Sequence, residues 1–165
     1  MLHQDSARLS VLYLGGTGTI SASCVRLSVE TGMRVTVVNR GRNAQDRSLP
    51  DEVETLTADV ADDAALAAAI GDRTFDAVVN FLSYHPDDAR RMVALFTSRT
   101  KQYVHISSGS IYAKPVRQTP ITESTPTAPN PHLEYATAKW RRADAAGRAR
   151  DAGLSAHRGS AVTHL

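Results

Sequence analysis

The stretch Leu9-Ser-Val-Leu-Tyr-Leu14-Gly15-Gly16-Thr17-Gly18-Thr19-Ile20 decides the fold. Its first half, Leu9–Leu14, is a short apolar run that reads as a buried strand. Gly15 and Gly16 then punctuate the chain, and helical spacing takes over from Thr19 to Thr31 before Gly32. Strand, glycine turn and helix in this order form the context a dinucleotide turn requires. Glycines let the backbone bend and let phosphate oxygens approach the amides. The helix start adds N–H groups without helical partners and a partial positive charge. Gly15, Gly16, Thr17, Gly18, Thr19 and Ile20 are therefore the candidate cradle for the pyrophosphate of NAD or NADP. Ser21 stands where a third glycine is expected, and it is small enough for helix and strand to pack closely. A glycine turn that binds nothing is the rival reading of this motif by itself.

Working outward, strands and helices alternate. Arg34–Asn39 and Glu54–Ala58 read as strands, Asp59–Ile70 as an alanine-rich helix, and Phe75–Leu82 as a strand. Pro86 opens a helix with Asp87 and Asp88 in its first turn and Ala89, Met92, Val93 and Phe96 on one face. Gln102–Ser107 reads as a strand, His132–Ala152 as a long helix and Leu154–Arg158 as a last strand. Residues 113–132 hold five of the seven prolines and read as a loop. A loop of that length inside a compact domain is often functional. The alternation predicts an α/β fold: one parallel sheet with helices on both faces, in three layers. The chain of 165 residues suits one domain.

Two further sets of residues carry chemistry. The second strand ends at Asn39-Arg40, where an acid would accept from the ribose 2′-hydroxyl of NAD. Arg40, with Arg42 nearby, instead suits the 2′-phosphate of NADP, which is the favoured cofactor; a solvated basic loop is the rival reading. On the long helix, Tyr135 and Lys139 stand four residues apart and share a face. A cation close to a phenol favours its ionised form, which makes a tyrosine usable as an acid/base. With five tyrosines and three lysines, about 0.09 such pairs are expected by chance, so the pair alone is only suggestive. Ser107 and Ser108 fall at the end of a strand, where ligands of open α/β sheets bind, and a hydroxyl there would polarise a substrate oxygen. The competing reading is that Ser107, Ser108 and Ser110 merely satisfy loop amides.

Composition narrows the classes. Apolar residues make up 42% of the chain and charged residues 22%, an ordinary globular balance. The formal net charge of +2 is too small to argue for a nucleic-acid partner. No apolar run approaches the length of a membrane span, and the first ten residues lack the apolar core of a signal peptide. The single cysteine, Cys24, rules out an internal disulfide and reads as a small core residue. Six histidines show no metal-ligand spacing, so no metal is assigned. Arg141, Arg142, Arg148 and Arg150 read as a solvated helix face. These features together fit a cytoplasmic protein.

The ordered set GGTGTI, Asp59-Val60, VVNFL, ISSGSIY and YATAK resembles the extended short-chain dehydrogenase/reductases, the NAD-dependent epimerase/dehydratase family. The resemblance runs from about Leu9 to Arg158, with the motifs in the family's order. It implies a Rossmann-type, doubly wound parallel sheet. It implies Ser108 as the catalytic hydroxyl, Tyr135 as the acid/base and Lys139 as the residue that holds the nicotinamide ribose. It implies that Asp59 and Val60 contact the adenine and that Asn80 and Leu82 line the cofactor groove. The activity implied is hydride transfer at an alcohol or carbonyl carbon, with a sugar nucleotide as the family's commonest substrate class and a homodimer left open. Family members usually continue beyond the sixth strand into a substrate domain. Here residues 1–165 are expected to be the NAD(P)-binding domain with that substrate domain missing. A non-catalytic nucleotide-binding or RNA-associated module, and an inactive truncated enzyme, are the alternatives.

Overall fold

The computed structural model describes residues 8–41, 48–82, 86–122, 124–153 and 161–164. These residues form two compact units, one within residues 8–82 together with Arg99–Lys101 and one within residues 86–98 and 102–164.

The first unit is built on four parallel strands: β1 (Ser10–Leu14), β2 (Arg34–Asn39), β3 (Glu54–Thr57) and β4 (Phe75–Asn80). They lie in the order β3-β2-β1-β4, with Leu14 opposite Val38 on one side and Asn80 on the other. Strand β1 is central, and all five of its residues are buried. That explains why its sequence is nearly continuous in apolar residues rather than alternating. Two helices connect the strands, α1 (Ser21–Glu30) between β1 and β2 and α2 (Asp63–Ile70) between β3 and β4. The first connection moves one way along the sheet and the second crosses back over β1. Right-handed crossovers therefore set α1 and α2 on opposite faces. Side chains obey the same division. Val11 and Tyr13 of β1 join Val25 of α1 and Val35 and Val37 of β2 in one cluster, while the alternate residues Leu12 and Leu14 are buried on the other face.

A polar staple closes the opposite, N-terminal ends of these strands. Asp76 accepts hydrogen bonds from the Ser10 amide (2.8 Å) and hydroxyl (3.0 Å), and pairs with Lys101 Nζ at 2.6 Å. The Lys101 ammonium first, then the Ser10 amide and hydroxyl, pull the Asp76 carboxyl down to about 2.

The second unit contains α3 (Pro86–Phe96), β5 (Thr100–His105, its first two residues counted with the first unit), α4 (Glu134–Gly153) and β6 (Ala161–His164). Strands β5 and β6 run parallel. Helix α3 buries Ala89, Met92, Val93 and Phe96, the face that the spacing predicts. Its first turn carries Asp87–Arg90 and Asp88–Arg91 ion pairs. Phe96 stacks on Tyr103 of β5 with ring centres 6.2 Å apart.

Several boundaries differ from the sequence reading. The second helix starts at Asp63, not Asp59, because Asp59 closes a turn onto the Ala61 amide and Asp62 caps the helix by accepting from Ala65. Strand β4 stops at Asn80, where the Asn80 side chain accepts from the Leu82 amide and turns the chain. Strand β5 begins and ends two residues earlier than expected. The last strand expected at Leu154–Arg158 lies outside the described residues; the strand found near the end is Ala161–His164. The proline-rich segment is a loop as read, but Thr127 forms an antiparallel bridge with Tyr112. No described helix is long and apolar enough to cross a membrane.

Candidate functional site

In the first unit, the residues singled out for a dinucleotide all sit at the C-terminal ends of the four strands, Asn39 and Asn80 as the last residues of β2 and β4 and the others on the loops that follow. The Gly15 amide donates to the Val38 carbonyl (3.0 Å), and the Phe81 amide donates to Leu14 (3.1 Å), so the turn after β1 is tied to both neighbouring strands. The neighbours β2 and β4 connect in opposite directions. This is the switch point at which open α/β sheets take ligands.

The glycines of this turn have separate duties. Gly15 has φ +83°, which side chains rarely tolerate, and a Cβ there would lie 2.7 Å from Leu82 Cγ. A Cβ on Gly16 would meet both γ-methyls of Val37 at 2.7 Å and Val25 at 3.3 Å. Gly16 is thus the residue that lets α1 lie against β2, the duty usually given to the third glycine of such motifs. Ser21, at that third position, is buried and accepts a hydrogen bond from the Gly18 amide at 2.9 Å. Ser21 is therefore more than a small residue tolerated in place of glycine, since its hydroxyl takes a bond inside the turn.

The helical ladder of α1 begins with Ala22 donating to Gly18 and Cys24 to Ile20. The amides of Ile20 and Ser21 precede it and have no helical acceptor. The first turn of α1 carries no acid to neutralise its positive end. Ile20 is 68% exposed, so this end of the helix faces solvent. An open, electropositive, glycine-lined turn fits a pyrophosphate. Around it, Asn39 Oδ1 accepts from the Gly41 amide (2.9 Å) and shapes the loop that carries Arg40. Asp59 and Val60 lie in the loop after β3 rather than in a helix. Asn80 is buried beside the turn, and Leu82 packs against Gly15. Arg42 lies outside the described residues.

In the second unit, β5 leads into Ile106-Ser107-Ser108 and a short 3-10 turn, Gly109–Ile111. The two serines differ. Ser107 Oγ is buried and has no hydrogen-bond partner among the described residues. Ser108 Oγ accepts from the Ser110 amide (3.2 Å) and from Ser110 Oγ (2.9 Å). Satisfying a loop amide, the competing reading of these serines, is therefore part of what Ser108 does. Helix α4 packs against this turn. Tyr135 is 56% exposed in its first turn, and Lys139 Nζ lies 6.0 Å from the Tyr135 ring centre, as their spacing predicts.

The start of α4 is fixed by contacts the sequence did not suggest. Thr137 Oγ donates to the Asn130 carbonyl at 2.7 Å, and the Asn130 side chain accepts from the His132 amide at 2.9 Å. Trp140, next to Lys139, donates its indole N–H to Thr127 Oγ at 3.2 Å. Residues 126–130 of the proline-rich loop are thereby held both to the end of the serine turn and to α4. Cys24 is partly buried and packs against the α1 cluster, close to its expected role. Arg141 is exposed; the side chains of Arg142, Arg148 and Arg150 lie outside the description. Among the described residues no group of three His, Cys, Asp or Glu side chains is placed to hold a metal.

The model of the "NAD dependent epimerase/dehydratase family" matches residues 11–157. The chain belongs to this family. An epimerase/dehydratase relative, the UDP-glucose 4-epimerase of Lactobacillus helveticus, is 27% identical over 76% of this chain and 43% of its own length. Among solved structures, the Bordetella bronchiseptica enzyme WbmH in complex with NAD+ has a TM-score of 0.68 at 23% identity, over 86% of this chain and 53% of that one. The dTDP-glucose 4,6-dehydratase of Bacillus anthracis in complex with NAD has a TM-score of 0.72 at 16% identity, over 94% and 54%. These likenesses establish the Rossmann-type fold of the epimerase/dehydratase family. The chain spans about half the length of the relatives it matches.

Proposed function

We propose that this chain is the nucleotide-binding domain of an NAD(P)-dependent epimerase, dehydratase or reductase acting on an alcohol or carbonyl carbon of a sugar nucleotide. The observation that carries the reading is the Tyr135–Lys139 pair on one face of α4, beside the turn that holds Ser108. In this reading Tyr135 takes the proton of a substrate hydroxyl and returns it in the reverse direction. Lys139 keeps a positive charge beside the phenol, stabilising the negative charge that develops during transfer. Ser108 bonds the same substrate oxygen. The first unit holds the dinucleotide: the Gly15–Ile20 turn takes the pyrophosphate, Asp59 and Val60 the adenine, and Asn80 and Leu82 border the groove. The nicotinamide, when bound, accepts hydride from the substrate carbon. The lack of an acid at Asn39-Arg40, and the guanidinium that Arg40 brings there, support NADP over NAD.

Titration with NADPH and NADH, followed by nicotinamide fluorescence, tests the cofactor assignment. NADPH is expected to bind about tenfold more tightly, and binding of neither removes the proposal. Turnover of UDP-glucose tests the chemistry. Tyr135→Phe is expected to lower kcat by about 10²–10⁴-fold with NADPH affinity unchanged, since Tyr135 is exposed and the substitution deletes one hydroxyl. A variant that keeps full turnover would take the acid/base role from Tyr135.

A further inference from the structure

The serine turn after β5 holds one more hydroxyl than its backbone needs. Ser108 begins the Gly109–Ile111 turn, and accepting the Ser110 amide is enough to cap it. Ser110 Oγ nevertheless donates to the same Ser108 oxygen at 2.9 Å. A serine hydroxyl has two acceptor lone pairs and one proton. Both lone pairs of Ser108 are thus taken by Ser110, and its proton is what remains to offer.

We propose that Ser110 is a positioning residue that makes Ser108 a pure hydrogen-bond donor toward the substrate. This rests on the reading of Ser108 as a substrate-facing hydroxyl. The consequence is a selection among substrate oxygens. Ser108 bonds an oxygen through its lone pair, as on a carbonyl or an alcohol that has surrendered its proton. It offers no acceptor to an alcohol that presents its O–H. The alcohol proton is then directed to Tyr135, the remaining acceptor of the proposed pair, and the carbonyl formed on oxidation is held by the Ser108 proton.

The turn is held firmly enough for this. The Ile111 amide donates to the Ser108 carbonyl (3.1 Å), and the Ile111 side chain is buried. The Ala128 amide donates to Ile111 (3.0 Å) and the Ala113 amide to Pro126 (2.9 Å), on either side of the Tyr112–Thr127 bridge. Ser110 therefore sits on a backbone anchored from both directions, and its hydroxyl stays within reach of Ser108.

The test compares wild type, Ser110→Ala, Ser110→Thr, Ser108→Ala and the Ser108→Ala/Ser110→Ala double variant. Ser110→Ala frees one lone pair and is expected to lower kcat/KM on UDP-glucose about fivefold, with melting temperature and NADPH affinity unchanged. Ser110→Thr keeps a hydroxyl and restores the rate. Adding Ser110→Ala to Ser108→Ala costs nothing further, because the effect runs through Ser108; an independent structural role would add. Hydrogen exchange at the Ser110 amide reads the geometry without turnover, and Ser108→Ala should accelerate it about tenfold. Additive losses, or no rescue by Ser110→Thr, overturn the positioning role while leaving the proposed function standing. An intact amide response in a wild type that binds NADPH but turns over no sugar nucleotide overturns the reading of Ser108, and the positioning role falls with it.

Discussion

Two turns follow two strands of this molecule, and they are built by opposite means. The turn after β1 is shaped by absent side chains: Gly15 gives way to Leu82 and Gly16 to Val37 and Val25. The turn after β5 is shaped by present ones, with Ser108 and Ser110 bonded to each other over a buried Ile111. A steric turn fails when an atom is added. A polar turn fails when one is removed.

The largest effect expected from that contrast is on stability. Gly16→Val places methyl groups inside the van der Waals shells of Val37, and overpacking of this kind costs about 1–3 kcal/mol. A thermal melt should show the midpoint falling by about 3–10 °C. An unchanged midpoint would mean that the α1–β2 contact gives way freely, and the steric account of the turn would be lost.

Gly18→Ala sharpens the comparison within the same turn. A Cβ there meets only Ser21 Oγ, at 3.1 Å, and otherwise projects into open space. Stability should change by less than about 1 kcal/mol. NADPH affinity should fall about tenfold, as the added methyl group enters the open space where the pyrophosphate is proposed to sit. Equal affinities for the two proteins would remove Gly18 from the phosphate cradle.

The smallest effect lies at the far ends of the strands, where the first unit also uses a polar contact. Asp76 has its carboxyl lowered from 3.8 to about 2 by Lys101 and Ser10. Its folded value lies below its unfolded one. The stabilisation is therefore fully present above about pH 4 and disappears as pH falls through about 2. Melts of wild type and Asp76→Asn should differ at pH 6 and converge toward pH 2. A gap that is constant with pH would assign the staple to geometry alone rather than to charge.

The same contrast explains what the sequence made legible. Absent side chains are visible in a sequence, so the turn at Gly15–Ile20 was found, together with the alternation that places it between β1 and α1. The face of α3 was legible because Ala89, Met92, Val93 and Phe96 recur at helical spacing. The start of α2 was not, because Asp59, Asp62 and Asp63 are all competent near a helix start and hydrogen bonds alone decide among them. The Tyr135–Lys139 pair was legible, since a helix fixes the relation of residues four apart. The Ser108–Ser110 bonds, the Ser21–Gly18 bond and the Thr127–Trp140 contact were hidden. Serines and threonines occur throughout the chain, and which ones meet depends on local backbone angles.

The Trp140–Thr127 contact has a practical consequence. The chain contains one tryptophan, and it stands on α4 next to Lys139 with its indole tied to the proline-rich loop. Excitation of indole therefore addresses a single place in the second unit, with no background from the first. Its emission maximum and quenching by added iodide would register loosening of that loop. The protein thus carries its own optical gauge on the helix that bears Tyr135, and Thr127→Val supplies the zero of its scale.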